Sequence, residues 1–422
     1  MQHADRTELV GGPHALREPL RVLIVAPHLD EWDVGESFTA YKLVAELSRH
    51  ARLTVLAYEC RHGPPLAEQL PLAEVVTFPE PGWVRRYERI AGMIKPGVPV
   101  LHRRVASWIA RALASGRHFD IAHQILPRAP RHASPLVRFE VPYIMGSVGG
   151  ALPTPRAFRM EAGSAPWFTR LRILDAVRFR RDPWLRRSYA NAALVLGVAP
   201  YMREILADIP MRRFEPFLGI GIDELAPEII RHEKKGRLAL LHVGRAVRTK
   251  GLRDTIRAMA ELGDMPGITL TSIGEGEEIE ICKAEAARLG VAGRVSFLGR
   301  LPRAEIETFY RESDVFIFPS FRESMGGVLY EAMRWGLPAI TVDCGGPGWI
   351  IDESCGLKVD LTSPEIMPRD LAQAIRQLAT DPTLRQNLSK GAREKIAAEA
   401  LWSVKAQHML GLYAEVAQES RQ

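Results

Sequence analysis

Cysteine is scarce in this 422-residue sequence: there are four (Cys60, Cys282, Cys344 and Cys355), and no two form a CxxC pair. That argues against a disulfide framework or a zinc knuckle and fits a reducing compartment. No stretch reaches the roughly 18 uncharged apolar residues of a membrane span. The first 20 residues lack an apolar core behind a basic start, so a cytoplasmic protein without a secretory leader is expected. The first apolar run leads into IVAPHLDEWDVGES rather than GxGxxG, which speaks against a dinucleotide-dependent enzyme. There is no DxD cluster, and the histidines are too scattered to supply three or four ligands, so neither a metal nor a cofactor is expected. Internal repeats and low-complexity segments are also missing.

What is present is ordinary globular composition, 46% hydrophobic and 25% charged, with 34 glycines and 30 prolines. The length predicts two or three domains, and two of similar size around a cleft is the simplest arrangement. The net charge of +6 is unevenly spread: residues 1–80 carry −5, residues 81–215 carry +14 and residues 216–422 carry −3. A basic excess confined to one segment points to an acidic partner surface.

RVLIVA (21–26) reads as a strand buried on both faces, followed by a polar loop, a helix over Ser37 to Leu47 and a strand over Leu53 to Ala57. Further strands are predicted at 121–123, 141–145 and 194–198. In the second half, strands at 238–244, 267–273, 294–299, 314–320 and 338–343 alternate with helical patterns, and from Ser363 onward only helices appear. The alternation predicts an α/β chain of two Rossmann-like, doubly wound parallel-sheet domains. Their expected extents are 20–215 and 237–400, with a linker over 216–236 and a last helix over 401–422 that packs back on the first domain.

The strongest local signal is FPSFRESMGGVLYE (318–331), which leaves a strand, passes Glu323, Met325, Gly326 and Gly327, and enters a helix carrying Val328 and Glu331. Free N–H groups at such a helix start favour an anion, while the two carboxylates suit sugar hydroxyls. The combination suggests a ligand with phosphate in its middle and polyols on either side, as in a nucleotide sugar. The second signal is LALLHVG ending at Gly244, then Arg245 and Lys250: two cations at the carboxyl end of a parallel strand, placed to stabilise a diphosphate.

Together, HVGRAVRTKGL, IGEGEE, VSFLGRLPRAEI and DVFIFPSFRESMGGVLYEAMRWGLPAITVDCGGPGWII resemble the donor domain of glycosyltransferase family 4, of GT-B fold. The resemblance covers residues 238–358 most specifically. It implies two Rossmann-like domains facing a cleft and a retaining transfer from a nucleoside diphosphate sugar without a bound metal. Glu323 would contact the donor sugar and Glu331 the ribose. Arg245 and Lys250 would bind the diphosphate, and the Gly326 to Val328 amides would touch sugar and phosphate. The family's Glu-Gly-Phe-Gly loop is replaced by Glu323 followed by Ser324-Met325-Gly326-Gly327, which implies a differently shaped sugar pocket. Gly35 and Glu36 match the acceptor-side loop. His123 matches a family histidine near the active site, and it reads either as a cleft residue or as a satisfied structural one.

The segment VRRYERIAGMIKPGVPVLHRRVASWIARALASGRH interleaves Arg85, Arg86, Arg89, Lys95, Arg103, Arg104 and Arg111 with Trp83, Tyr87, Ile90, Ile94, Trp108 and Ile109. It reads either as a basic face for an anionic membrane or as a solvated face over core aromatics. Nucleic acid is not expected. The sequence therefore points to a glycosyltransferase acting on a sugar or lipid-linked acceptor in cell-envelope polysaccharide or glycolipid synthesis, peripheral at the inner membrane face. Another GT-B nucleotide-sugar enzyme such as an epimerase, or a non-catalytic nucleotide-sugar-binding protein, is the alternative.

Overall fold

A computed structural model of the chain describes residues 18–86, 95–161, 173–229, 231 and 236–421. Two fully parallel sheets organise it. The first contains β1 (Arg21–Val25), β2 (Arg52–Tyr58), β3 (Glu74–Phe78), β4 (Ile121–Gln124), β5 (Tyr143–Val148), β6 (Leu194–Gly197) and β7 (Phe214–Pro216), in the order β3-β2-β1-β4-β5-β6-β7. The second contains β8 (Leu238–Val243), β9 (Ile268–Ile273), β10 (Val295–Phe297), β11 (Val315–Phe318), β12 (Ala339–Val342) and β13 (Gly356–Val359), in the order β10-β9-β8-β11-β12-β13. Each sheet reverses its winding beside its first strand, where β1 lies between β2 and β4, and β8 between β9 and β11. A crevice opens outside the carboxyl ends of the strands at such a point.

The central strands are continuous apolar runs because helices cover both faces. Val22, Leu23, Ile24 and Val25 are wholly buried, as are Val315, Phe316 and Ile317. The edge strands β3, β7 and β13 were not legible in the sequence. Alternation of exposed and half-buried residues in β3, and the three-residue length of β7, leave no buried run to detect.

Among the described residues, the ties between the two halves include three that join distant parts of the chain. The last helix, Trp402–Glu419, lies on the first sheet, where Trp402, Met409, Tyr413 and Val416 join the core of Ile121, Ile144 and Leu194. Within the expected linker, Ile222 forms a parallel bridge with Leu401; residues 230 and 232–235 of that linker lie outside the described residues. The third tie is a strap. After β5 the chain runs through Gly149 and Gly150 to Phe158, whose fully buried ring belongs to the core of the second half. Phe158 stacks on Phe321 at 4.3 Å between ring centres, with the Arg248 guanidinium over both rings. This stretch of the 20–215 span therefore packs into the core of the second half.

Candidate functional site

The turn after β8 carries Arg245 and Lys250. Gly251 adopts a left-handed conformation (φ 77°) that ends the turn and starts the helix Leu252–Glu261; a Cβ there would collide with the Pro319 carbonyl. That close approach sets the loop after β8 against the loop after β11, and the Lys250 ammonium pairs with Glu323 as a result. Both side chains are mostly buried, and Lys250 also lies over the Phe318 ring at 5.3 Å. Burial would raise the Glu323 carboxyl, but Lys250 and the N–H groups of Met325 and Gly326 outweigh it and hold the group below the usual carboxylate range. Arg245 is exposed and has no carboxylate partner among the described residues.

Gly326 caps the helix Gly327–Arg334 in a left-handed conformation (φ 79°), so its free N–H groups face the Glu323 loop. The loop rests on Gly345 and Gly346: the Gly346 N–H donates to the Glu323 carbonyl (3.0 Å), and a Cβ at Gly346 would strike Met325. Val328 and Glu331 follow on the helix. Glu331 accepts a hydrogen bond from the Tyr310 hydroxyl (3.2 Å) and lines a small recess with Arg303 and Trp335. Gly244 ends β8, its N–H donating to Ile273.

Across the cleft, Gly35 caps the helix Glu36–Leu47 with open space around it. Glu36 pairs with Lys95 at 2.8 Å. Burial would raise its carboxyl, yet Lys95 and Arg128 keep it low. The two sides meet through a residue that sequence reasoning missed. Arg128 is 3% exposed and donates to Thr39 Oγ1 (2.8 Å), to the Gly219 carbonyl (2.7 Å) and to Met325 Sδ (2.8 Å). It thereby links the acceptor-side helix, the linker and the loop bearing Glu323. The signal was an arginine just past the carboxyl end of β4, the edge that faces the crevice.

His123 does not join this group; of the two readings the sequence leaves open, its surroundings match the structural one. It is wholly buried in β4, with Nδ1 against the Tyr413 hydroxyl (2.7 Å) and Nε2 against the Gly146 carbonyl (2.6 Å). Burial pushes its imidazole down to about 4, so it is neutral at pH 7. Its contact with Tyr413 fastens the last helix to the first sheet. His123→Phe is expected to shift the urea midpoint downward by about 2 kcal/mol of stability while leaving turnover within about twofold, since two buried polar groups lose their partner. A large loss of turnover at unchanged stability would restore the catalytic reading.

The basic segment also divides. Trp108 and Ile109 lie on the core side of the helix Gly97–Ala114: Ile109 is fully buried, and Trp108 packs against Phe119 beneath Arg117. Both therefore fit the reading of this segment as a solvated face over core side chains. Arg103 and Arg111 are exposed, as is Trp83, whereas Tyr87, Arg89, Ile90 and Ile94 lie outside the described residues. Among the described residues no group of three or more acidic, histidine or cysteine side chains could hold a metal, and no helix is long and apolar enough to cross a membrane.

Residues 227–395 match the family model described as Glycosyl transferases group 1. The lipopolysaccharide core biosynthesis glycosyltransferase LpsE of Rhizobium meliloti (strain 1021) is 34% identical over 161 residues, 38% of this chain and 45% of that protein. The chain spans about half the length of the curated relatives it matches. Among solved structures, the sucrose-phosphate synthase of Thermosynechococcus elongatus superposes with a TM-score of 0.60 at 17% identity, covering 95% of this chain and 100% of that one. Anabaena HepE in complex with UDP gives 0.60 at 16% identity, covering 94% and 100%. The fold is GT-B: two Rossmann-like parallel-sheet domains with helices.

Proposed function

We propose that the chain is a retaining glycosyltransferase that moves a sugar from a nucleoside diphosphate donor, held on residues 238–358, to an acceptor hydroxyl presented by the first half. The observation that carries this reading is the Lys250–Glu323 pair beside the helix start at Gly326 and Gly327. It puts a cation, a hydroxyl acceptor and free amides at one crevice edge. The match to group 1 glycosyl transferases over the same residues supports it, and so does the likeness to a protein solved with UDP.

In this reading Glu323 and the Met325 to Val328 amides orient the donor sugar, and Glu331 takes the ribose. Arg245 and Lys250 stabilise the diphosphate as the glycosidic bond breaks and negative charge builds on the leaving oxygen. Protein cations meet that charge, so no metal or other cofactor is required. Holding both substrates in line, with water excluded by closure of the cleft, supplies the rest of the rate. Arg128 spans both sides of the cleft and would register donor and acceptor loops against each other. Cell-envelope polysaccharide or glycolipid synthesis is the setting we infer, in keeping with the name of the Rhizobium relative. Exposed Trp83, Arg103 and Arg111 on the first half suit peripheral contact with an anionic membrane at the cytoplasmic face.

Calorimetric titration with UDP tests the donor half of the proposal. Arg245 is exposed, so Arg245→Ala should fold like the parent and bind UDP about tenfold more weakly, the loss of one charge-assisted contact. Equal affinity of parent and variant would remove Arg245 from the diphosphate site.

A further inference from the structure

A second cavity, of about 500 Å³, lies on the first half of the molecule, outside the donor crevice. Arg103, Arg138, Arg178, His102, His132 and Trp184 line it, and no carboxylate is among its lining residues. Arg178 pairs with Asp182 at 3.0 Å, and Arg138 stacks over the Trp184 ring at 5.2 Å. Neither Arg103 nor Arg138 has a carboxylate partner among the described residues. His132 is 8% exposed, and Nε2 of both His132 and His102 lacks a hydrogen-bond partner. Unpaired buried polar atoms are costly, and a cavity lined by three arginines, two of them without a carboxylate partner among the described residues, and by no acidic side chain suits an anionic ligand. Burial lowers both imidazoles well below their ordinary value, so each is neutral at pH 7 and can accept from a P–OH group or, in its Nε2–H tautomer, donate to a phosphate oxygen.

This cavity adjoins another, of about 180 Å³, with which it shares Pro96 and Val98. The smaller cavity faces the cleft. His28, Asp33 and Glu36 give it acceptors, and Lys95 a donor, suited to sugar hydroxyls; Glu80 on its wall is taken up by Arg61, and Pro127, next to Arg128, closes one side. From the adjacency of a hydroxyl-binding cavity at the cleft and an acid-free basic cavity behind it, we propose that the chain binds an acceptor carrying a phosphate or diphosphate, with that group held by Arg103, Arg138, Arg178 and the two histidines. The proposal rests on the glycosyltransferase reading only in naming the ligand an acceptor. The half-exposed Trp184 indole at the cavity supplies an apolar surface for whatever the phosphate is attached to.

Calorimetric titration of the full chain with inorganic phosphate and geranyl phosphate, and with geraniol as the uncharged control, tests the site. Both phosphates should bind and geraniol should not. With UDP held saturating so that the donor crevice is already filled, the Arg103→Ala/Arg138→Ala double variant should bind them at least tenfold more weakly than the parent. Exposed Arg103 can be replaced alone if the double variant melts early, and a severalfold loss is then expected. Equal affinities for the two phosphates would identify a soluble phosphorylated sugar as the source; clearly tighter binding of geranyl phosphate would identify a lipid carrier. Unchanged binding in the arginine variants, or loss of all phosphate binding once UDP fills the donor crevice, would overturn the proposal. Titration with UDP is independent of this cavity, so failure here and failure of the donor-site assignment are distinguishable.

Discussion

Lys250→Ala is expected to lower turnover by about a hundred- to a thousandfold, the range found when one preorganised donor to a developing negative charge is removed. The ammonium is 12% exposed and already aligned by Glu323 and the Phe318 ring, so it reorganises little as the leaving group gains charge. Its loss also leaves the Glu323 carboxylate, 18% exposed, without its cation beside an anionic ligand. Repulsion then adds to the missing attraction. The Glu323 carboxyl should consequently rise from its lowered value, so the variant's remaining activity should fall away at a higher pH on the acid side than the parent's. Steady-state kinetics across pH read both effects. A loss below about threefold, with the acid limb unmoved, would mean that Lys250 does not face the diphosphate.

Phe158→Ala should cost about 3 kcal/mol or more, the range for emptying a buried aromatic site. The expected loss is in the second half, although residue 158 follows a strand of the first. Phe158 fills the space between Arg248 and Phe321, and Glu161, three residues on, binds Arg248 at 2.6 Å and Arg257 at 2.9 Å. Without the ring, the strap loses its anchor and the Arg248–Lys250 turn loses its cover, so donor affinity should fall along with the urea midpoint. The strap is also acid-sensitive. Burial would raise the Glu161 carboxyl, but hydrogen bonds from Arg257 and Arg248 outweigh it and hold it below its ordinary range. A carboxyl lowered in the folded state contributes stability above its unfolded value, and that contribution is lost as pH falls through the folded one. Glu161→Gln should therefore be less stable than the parent at neutral pH and lose less on acidification. A Phe158→Ala midpoint equal to the parent's would show that the strap does not fasten the halves.

The parts of this molecule legible from sequence are those where chemistry and periodicity coincide. The strands bearing Val22 to Val25 and Val315 to Ile317 are sandwiched between helices, so their burial is written as unbroken apolar runs. Lys250, Glu323 and Gly326 could be located because each follows such a run at the crevice edge. What could not be read depends on contacts between residues distant in the chain. Phe158 sits in a polar, proline-containing stretch with no periodicity, and its partner Phe321 is 163 positions away. Arg128 acquires its meaning from Met325, across the cleft. His123 matched a family residue by motif, and only the Tyr413 hydroxyl and the Gly146 carbonyl, both distant in the chain, show its two nitrogens occupied. The basic segment left two readings open for the same reason: arginines are visible in a sequence, but whether the tryptophan between them faces solvent or core is a property of the fold.

The central claim is that the crevice of the second half binds and activates a nucleotide sugar. Its most direct test is a panel of UDP-, GDP- and ADP-sugars, scored for binding to the parent and to Lys250→Ala and for release of the nucleoside diphosphate. At least one donor should bind at or below about millimolar concentration, the usual range for such substrates, the parent should release its diphosphate, and Lys250→Ala should lose most of that release. Absence of binding by every donor at millimolar concentration, or equal release by parent and variant, would contradict it.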